Sequence, residues 1–389
     1  MLNGVKILDL TRFVAGPHCT LLLSDLGAEV IKVERCKKGD DLRMIGPMVN
    51  DISLWAAVLN RGKKSLSLNI KEKLGKEILF KLIKNSDVLI ENFRPGIMEK
   101  LGLDWKKIKR INPKIIMARI GGYPKVKKSK VRQAFDATVQ AETGLMLISG
   151  EDNKKPNMIG TVLLDYTTGL NMAVGILSAL YSRNKTGKGQ LVETTLSDAA
   201  LSISMSAVPD YFINNAEFKQ NGNSDRFSSP SNTYKTKNGF MHIMAGSDER
   251  FFNLLKAMNR IELFKKKSYM NSRNRLRNTK SLDKIVTNWT KKYTNKQLGK
   301  LLSKFSVPWG EIKNFSDFLN SDTAKKSIKK AVIKNTNISV PRCPIIYPFV
   351  KLRNKSKVPS LGQHNKSILN EIKITKKQQR DLKKKEITD

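Results

Sequence analysis

The stretch GVKILDLTRFVAGPHCTLLLSDLGAEVIKVE, residues 4–34, decides the fold class. GVKILDL (4–10) is an apolar run of strand length, followed by a loop over 11–17. Pro17 and the apolar residues up to Leu26 predict a helix that Gly27 stops. AEVIKVE (28–34) then reads as a second strand. The same unit recurs along the chain. KSLSLNI (64–70) precedes a helix over 71–85, and DVLIENF (87–93) ends in a turn at Arg94, Pro95 and Gly96. A helix over 105–110 leads into KIIMARI (114–120), and GQLVETTL (189–196) is a further strand. Strands alternating with helices imply an α/β architecture, a parallel sheet covered on both faces. Ligands of such sheets sit at the carboxyl ends of the strands. Those ends carry residues 11–15, Glu34 and Arg35, 92–94, and Gly121 and Gly122.

The rest of the chain reads differently. Residues 217–232 are polar and rich in Gly, Ser and Asn, a linker or loop. Residues 233–246 predict a hairpin turning at Lys237, Asn238 and Gly239, because Asn-Gly is a favoured hairpin pair. A helical, outwardly polar segment (248–304) and a short strand (307–312) complete a small α+β domain. A loop containing His364 leads into a helix capped near Asn365.

Composition narrows the function classes. The chain has 389 residues, 40% hydrophobic and 27% charged, the balance of a globular protein. No basic-then-apolar leader opens it, and the longest apolar run, 162–181, carries Asp165, Thr167, Thr168 and Asn171, so it predicts a core helix. Cys19, Cys36 and Cys343 have no paired or metal-ligating spacing, which favours a reduced, cytoplasmic setting and no metal. Seventy-two basic against 34 acidic residues give a formal charge of +38. Lysine is spread over the whole chain without a nucleic-acid recognition motif, so compositional drift explains the charge better than a specific nucleic-acid partner. Neither G-x-G-x-x-G after the first strand nor a phosphate-binding G-x-x-x-x-G-K-[ST] occurs, which disfavours nicotinamide and ATP enzymes. Arg35, Arg61, Lys63, Lys64, Lys71 and Arg94 fall near strand ends and together suit an anionic, phosphate-bearing ligand.

One carboxylate stands out in TVLLDYTTGLNMAVGILSALYSRNKTGKG (161–189). Asp165 opens a long apolar helix that ends in cations and Gly187. A helix start favours the ionised carboxylate, so Asp165 is a candidate nucleophile or base; an N-cap is the commoner use of an aspartate at such a place.

The segments LTRFVAGPHCTLLLSDLGAEVIKVER, NRGKKSLSLNIK, SDVLIENFRPGIMEKLGLDW, AFDATVQAETGLM, LDYTTG, RNKTGKGQLVETTLSDA, VPWGEI and LGQHN, in this order, resemble the family III CoA-transferases, the CaiB–BaiF family. Within that family the chain is most similar to the succinyl-CoA:dicarboxylate (glutarate-type) transferases. The resemblance implies a Rossmann-like parallel sheet in a split large domain, residues 1–205 and 326–389, around a linker and small α+β domain, 206–325. It also implies a homodimer of two interlocked chains, with no membrane partner. Coenzyme A and acyl-CoA would be substrates beside a carboxylic acid acceptor, with no permanently bound cofactor. Asp165 would carry acyl-aspartyl and aspartyl-CoA intermediates. Coenzyme A contacts would fall on Val14, Ala15, Arg35, Leu68, Lys71, Asn92, Phe93, Arg94 and Lys100, and on Arg132 and Phe135. The same fold hosts acyl-CoA racemases that use a His/Asp pair. This chain has Phe135 before Asp136, and phenylalanine cannot accept a proton. The loop GGYPKVKKSKVRQ (121–133) departs from the family's glycine-rich form. Donors for the tetrahedral oxyanion are sought near Gly169 or in the loop 245–247, Glu142 is expected to pair with a lysine, and His364 to organise its turn.

Overall fold

A computed structural model describes residues 1–125, 132–151, 154–350 and 356–389. Residues 126–131 of the altered 121–133 loop lie outside the described residues. The chain divides into two compact units, the first built from 1–143, 159–216 and 326–389, the second from 144–158 and 217–325.

The first unit is organised on six strands: β1 (Lys6–Asp9), β2 (Glu29–Glu34), β3 (Lys64–Ser67), β4 (Val88–Glu91), β5 (Ile116–Gly121) and β6 (Leu191–Thr195). Their order in the sheet is β3-β2-β1-β4-β5-β6, and every pairing is parallel. The expected α/β sheet is therefore present, with the expected strands trimmed by a few residues. The order reverses between β1 and β4, which opens a crevice at the carboxyl ends of those two strands.

Side chains alternate between the faces of a strand. Leu8, Ile31, Val33, Leu66, Leu89 and Met117 join one buried cluster, with Ile78, Leu79 and Leu82 from α2 (Lys73–Lys84) and Ile108 from α3 (Trp105–Ile111). Ile368 and Leu369 from the helix Asn365–Glu371 close the same cluster. That helix follows His364, whose Nδ1 accepts from the Ser65 N–H at 3.1 Å and whose own N–H donates to the Ser65 carbonyl at 3.0 Å. His364 thus fastens a turn to β3, as expected.

The other face carries α1 (Ala15–Asp25), α4 (Asp136–Glu142) and α5 (Leu163–Thr186). α5 stops at Gly187, whose φ of 69° is left-handed and whose N–H donates to the Arg183 carbonyl at 2.8 Å. By length and composition alone α5 would suffice to cross a membrane. Here Leu164, Thr168, Met172, Ile176 and Leu180 are buried in the fold. α1 and α5 touch backbone to backbone at Gly169, where a Cβ would fall 2.5 Å from the Ala15 carbonyl oxygen and 3.2 Å from the Cys19 nitrogen.

Beneath α1 the sheet buries charge. Asp9 and Lys32 are register partners on β1 and β2, and both are fully buried. Lys32 Nζ lies 3.6 Å from Asp9 Oδ1 and 3.1 Å from Asp40 Oδ2; Lys63 Nζ lies 3.3 Å from Asp9 Oδ2. Burial alone would raise the Asp9 carboxyl, but Lys32, Lys63 and the hydroxyls of Thr11 and Thr20 outweigh it and hold it at about 2.

After β6 the first unit continues into α6 (Leu196–Ile203) and α7 (Ala207–Asn214). It also contains an antiparallel hairpin, Ile328–Ile333 with Thr336–Pro341, that the sequence reading did not foresee. The second unit is α+β. Strands Ser231–Lys235, Phe240–Met244 and Trp309–Glu311 form an antiparallel sheet packed against helices Asp248–Met258, Thr279–Thr290 and Asn295–Lys304. The turn at 236–239 closes through Thr236 N–H to the Gly239 carbonyl, 3.0 Å, where the Asn-Gly pair places it.

Gly169→Ala forces α1 and α5 apart, a backbone shift expected to cost about 1–3 kcal/mol. Urea unfolding should show a lower midpoint at unchanged slope; an unchanged midpoint would show that the close approach is not needed.

Candidate active site

A cleft of about 990 Å³ opens at the carboxyl ends of the strands, and Asp165 and the eleven residues that the family resemblance assigns to coenzyme A all line it. Each strand sends its first loop residues there. β1 contributes Val14 and Ala15, β2 Arg35, β3 Leu68 and Lys71, and β4 Asn92, Phe93 and Arg94. Lys100 follows β4, Arg132 and Phe135 precede α4, and Asp165 enters from the first turn of α5.

The loop after β1 is fixed donor by donor. The Thr11 N–H donates to Asp9 Oδ1 (2.9 Å), the Arg12 N–H to Asn92 Oδ1 (2.8 Å) and the Phe13 N–H to Asp40 Oδ1 (3.1 Å). Asn92 Nδ2 returns a bond to the Arg12 carbonyl at 2.7 Å. Phe13 holds a left-handed φ of 61°, which is costly for a bulky residue and turns its ring edge-on to Phe135, 5.5 Å between centroids. Asn92 thereby acts as a clip between β1 and β4, a role that strand-end position alone did not specify.

The cations divide into paired and unpaired. Arg35 Nη2 lies 2.7 Å from Asp41 Oδ1, and its Nε donates to the Gly39 carbonyl at 3.1 Å. Arg12 binds the same Asp41, so two guanidinium groups share one carboxylate and leave the corner net positive. Arg132 binds Glu142, which also accepts from the Tyr123 hydroxyl at 2.6 Å. Glu142 therefore pairs with an arginine and a tyrosine, where a lysine was expected. Lys71 and Lys100 have no ion-pair partner among the described residues.

Three of the expected ligand cations are placed elsewhere. Arg61 is buried in a two-pronged bond to Asp25, 2.5 and 2.7 Å. Lys63 donates to Asp9, to Thr20 Oγ1 at 2.8 Å and to the Pro17 carbonyl at 3.0 Å. Lys64 begins β3, at the sheet edge opposite the cleft, and pairs with Glu29 and Glu371. A basic residue near a strand was too coarse a criterion: only those following the strand's last residue reach the cleft.

Asp165 differs from expectation in its electrostatics. It does not cap its helix. The N–H groups of Leu164 and Asp165 both donate to Asp136 Oδ2, at 2.6 and 3.1 Å, so Asp136 from α4 caps α5. Among the described residues the Asp165 carboxylate has no hydrogen-bond partner. Burial first, and then the neighbouring Asp136 charge, push its carboxyl up to about 7. The helix start does not hold it ionised, because its donors are already spent on another anion. Gly169 sits inside α5, where a helix interior uses each N–H in its own backbone ladder, so it offers no free oxyanion donor. The loop 245–247 belongs to the second unit.

The family model for CoA-transferase family III matches residues 2–365. The chain belongs to the family III CoA-transferases. It is 35% identical to the succinyl-CoA:glutarate CoA-transferase of Mus musculus, over 95% of this chain and 86% of that one. It is 32% identical to the succinyl-CoA–D-citramalate CoA-transferase of Chloroflexus aurantiacus, over 95% and 94%. Among solved structures, a CaiB/BaiF family protein from Brucella suis is similar, with 31% identity, a TM-score of 0.82, and 95% and 98% of the two chains covered. This CoA-transferase is accordingly an enzyme that uses CoA thioesters and carboxylates.

The sequence reading placed Arg12 and Phe13 at the ligand edge only as part of the stretch 11–15, and missed Asp40, Asp41 and Asp136 as parts of the cleft and its support. Asp40 and Asp41 lie in the loop that follows β2, a position that strand-end reasoning stopped short of. Asp136 had no local signal, because the helix it caps starts 27 residues later.

A carboxyl raised in the folded state binds protons that the unfolded chain releases. The stability cost of Asp165 therefore appears as pH rises from 3.8 toward about 7 and is complete above that. Asp165→Asn should stabilise the protein by about 1–3 kcal/mol above neutrality and by little at acid pH, measured as a pH-dependent Tm difference. A gain independent of pH would show that the buried charge is not its source.

Proposed function

We propose that this enzyme moves CoA from a dicarboxylic acyl-CoA, succinyl-CoA or a close analogue, to a second carboxylic acid, with Asp165 as the covalent carrier. The observation that carries the reading is the unbonded Asp165 carboxylate at the wall of a cleft whose rim holds Arg12, Arg35, Arg94, Lys71 and Lys100. The cations suit the phosphates of coenzyme A, and Val14, Phe13, Phe135 and Leu196 offer an apolar path for the pantetheine arm. Both relatives described above are named for succinyl-CoA donors, which favours that donor class here.

The chemistry runs in four displacements at carbonyl carbon. The Asp165 carboxylate attacks the donor thioester, the C–S bond breaks, and a mixed anhydride and CoA thiolate result. The thiolate attacks the aspartyl carbonyl of the anhydride, which releases the donor acid and leaves an aspartyl-CoA thioester. The acceptor carboxylate attacks that thioester and expels the thiolate again. The thiolate then attacks the acceptor acyl carbon, which yields the new acyl-CoA and restores the Asp165 carboxylate. Charge moves between carboxylate and thiolate throughout, so no proton transfer is required. Racemisation by a His/Asp pair is not available here, because Phe135 stands where that pair would need its histidine.

Asp165→Ala should abolish transfer while CoA still binds. Incubation of the unsubstituted enzyme with succinyl-CoA, followed by mass spectrometry of peptides, should place a hydroxylamine-labile adduct on Asp165. Full activity in the variant would refute the covalent role.

The same reading includes a dimer. Leu170, Val174 and Tyr181 are exposed on one face of α5, and Leu201 on α6, Met205 just after it, and Phe212 and Ile213 on α7 are exposed as well. Large apolar side chains exposed in this number suit an interaction surface, and a second copy of this chain is the partner the family resemblance favours. Sedimentation should give twice the mass of one chain, and Phe212→Asp with Ile213→Asp should lower it; a monomer at micromolar concentration would overturn this part.

A further inference from the structure

Asp136 does more than close a helix end. Its Oδ2 takes the second and third N–H groups of α5, the donors that a helix start turns toward an anion. Its Oδ1 is held by Gln140 Nε2, and Gln140 Oε1 accepts from the Ile159 N–H at 3.0 Å, so the carboxylate cannot swing away. Asp136 is 5% exposed and has no ion-pair partner among the described residues. A buried anion therefore stands behind Asp165 and consumes the groups that would otherwise solvate it.

We propose that Asp136 is a positioning residue for the transfer reaction: by occupying the α5 donors and placing a second negative charge behind Asp165, it keeps the Asp165 carboxylate free of protein hydrogen-bond donors and strongly nucleophilic. The inference rests on the covalent reading of Asp165 and adds what makes that carboxylate reactive. In the anhydride and in the aspartyl thioester, Asp165 carries no charge. The repulsion from Asp136 exists in the free enzyme and is released each time the side chain is acylated. An interaction that disfavours the resting anion more than the acylated forms lowers the barrier to attack.

The other titratable groups on the elements around Asp165 do not take over this role. On α1, His18 packs edge-on against Tyr166 at 4.6 Å between centroids, and burial keeps it neutral down to about pH 4. On α6, Asp198 accepts from Thr195 at 2.6 Å. On β5 and β6, Arg119 and Glu193 pair with each other at 3.2 Å. On α5 itself, burial and Asp165 push the Tyr166 hydroxyl up. After burial, Asp136 is the charge that raises the Asp165 carboxyl to about 7.

The test is Asp136→Asn in the full chain, since the amide oxygen still accepts both N–H groups while the charge is gone. The rate of the hydroxylamine-labile adduct with succinyl-CoA is followed by rapid quench between about pH 5 and about pH 9, for both proteins. The unsubstituted enzyme should show an acid limb near 7. In the variant the limb should move down by about one pH unit and the plateau rate should fall several-fold, with little change in the concentration of acyl-CoA needed for half-saturation. A limb that stays in place, with activity lowered equally at every pH, would reduce Asp136 to a structural cap and overturn the proposal. If the unsubstituted enzyme forms no adduct, the covalent reading of Asp165 fails instead. Should Asp136→Asn not fold, Asp136→Ser supplies a neutral cap, and the same downward shift is expected.

Discussion

The cleft depends on a carboxylate that never reaches it. Asp9 lies at the end of β1, fully buried, between two lysines that are buried with it. Taking three charges out of water is expensive, and the arrangement holds only because each charge finds more than one partner. Lys32 meets Asp9 and Asp40; Lys63 meets Asp9, Thr20, Pro17 and Asn60. The same Asp9 oxygens hold Thr11, and Asp40 holds Phe13. A charge network within the sheet is thus continuous with the loop that forms one wall of the cleft. The strained turn at Phe13 can persist because its neighbours on both sides are fixed by these bonds.

Much of the sheet was legible in the sequence. Short apolar runs such as 28–34 and 114–120 keep strand period even where a lysine or arginine interrupts them, and glycines and prolines mark the turns between. The crevice followed from parallel topology, and the family motifs then pointed to residues that do share one cleft. What stayed hidden was pairing. Arg61 and Lys63 look like Arg94 and Lys71 in a sequence, yet the first two are buried in ion pairs and the latter two face the cleft. The partners, Asp25 and Asp9, lie 36 and 54 residues away, beyond the reach of any local pattern. The hairpin at 328–341 was missed for a related reason. Its first strand, IKKAVI, buries only Ala331 and Ile333, too weak an alternation among lysines to register as a strand.

Asp165 shows how a residue of the cleft can be reached by an incomplete physical argument. A carboxylate in the first turn of a helix is ordinarily stabilised by the helix start. That reasoning fails here because a helix has few free N–H groups and Asp136 already binds two of them. The same position that would make an isolated aspartate more acidic makes this one less so. Distinguishing the outcomes requires knowing which acid arrives first, and that is a matter of tertiary structure.

The first unit is assembled from three separated segments, and this has a consequence for synthesis. The face of the sheet built on Leu66 and Leu89 is sealed by Ile368 and Leu369, and β3 is tied to that late segment through Ser65 with His364 and Ser67 with Asn365. β6, which completes the sheet, comes from residues 191–195. During translation, β1 to β5 emerge with α2 and α3, long before Ile368 and Leu369 complete their cover, and the whole second unit is made in between. The nascent chain must carry an incompletely sealed apolar sheet face through that interval, so demand for chaperones should peak while the middle of the message is being read.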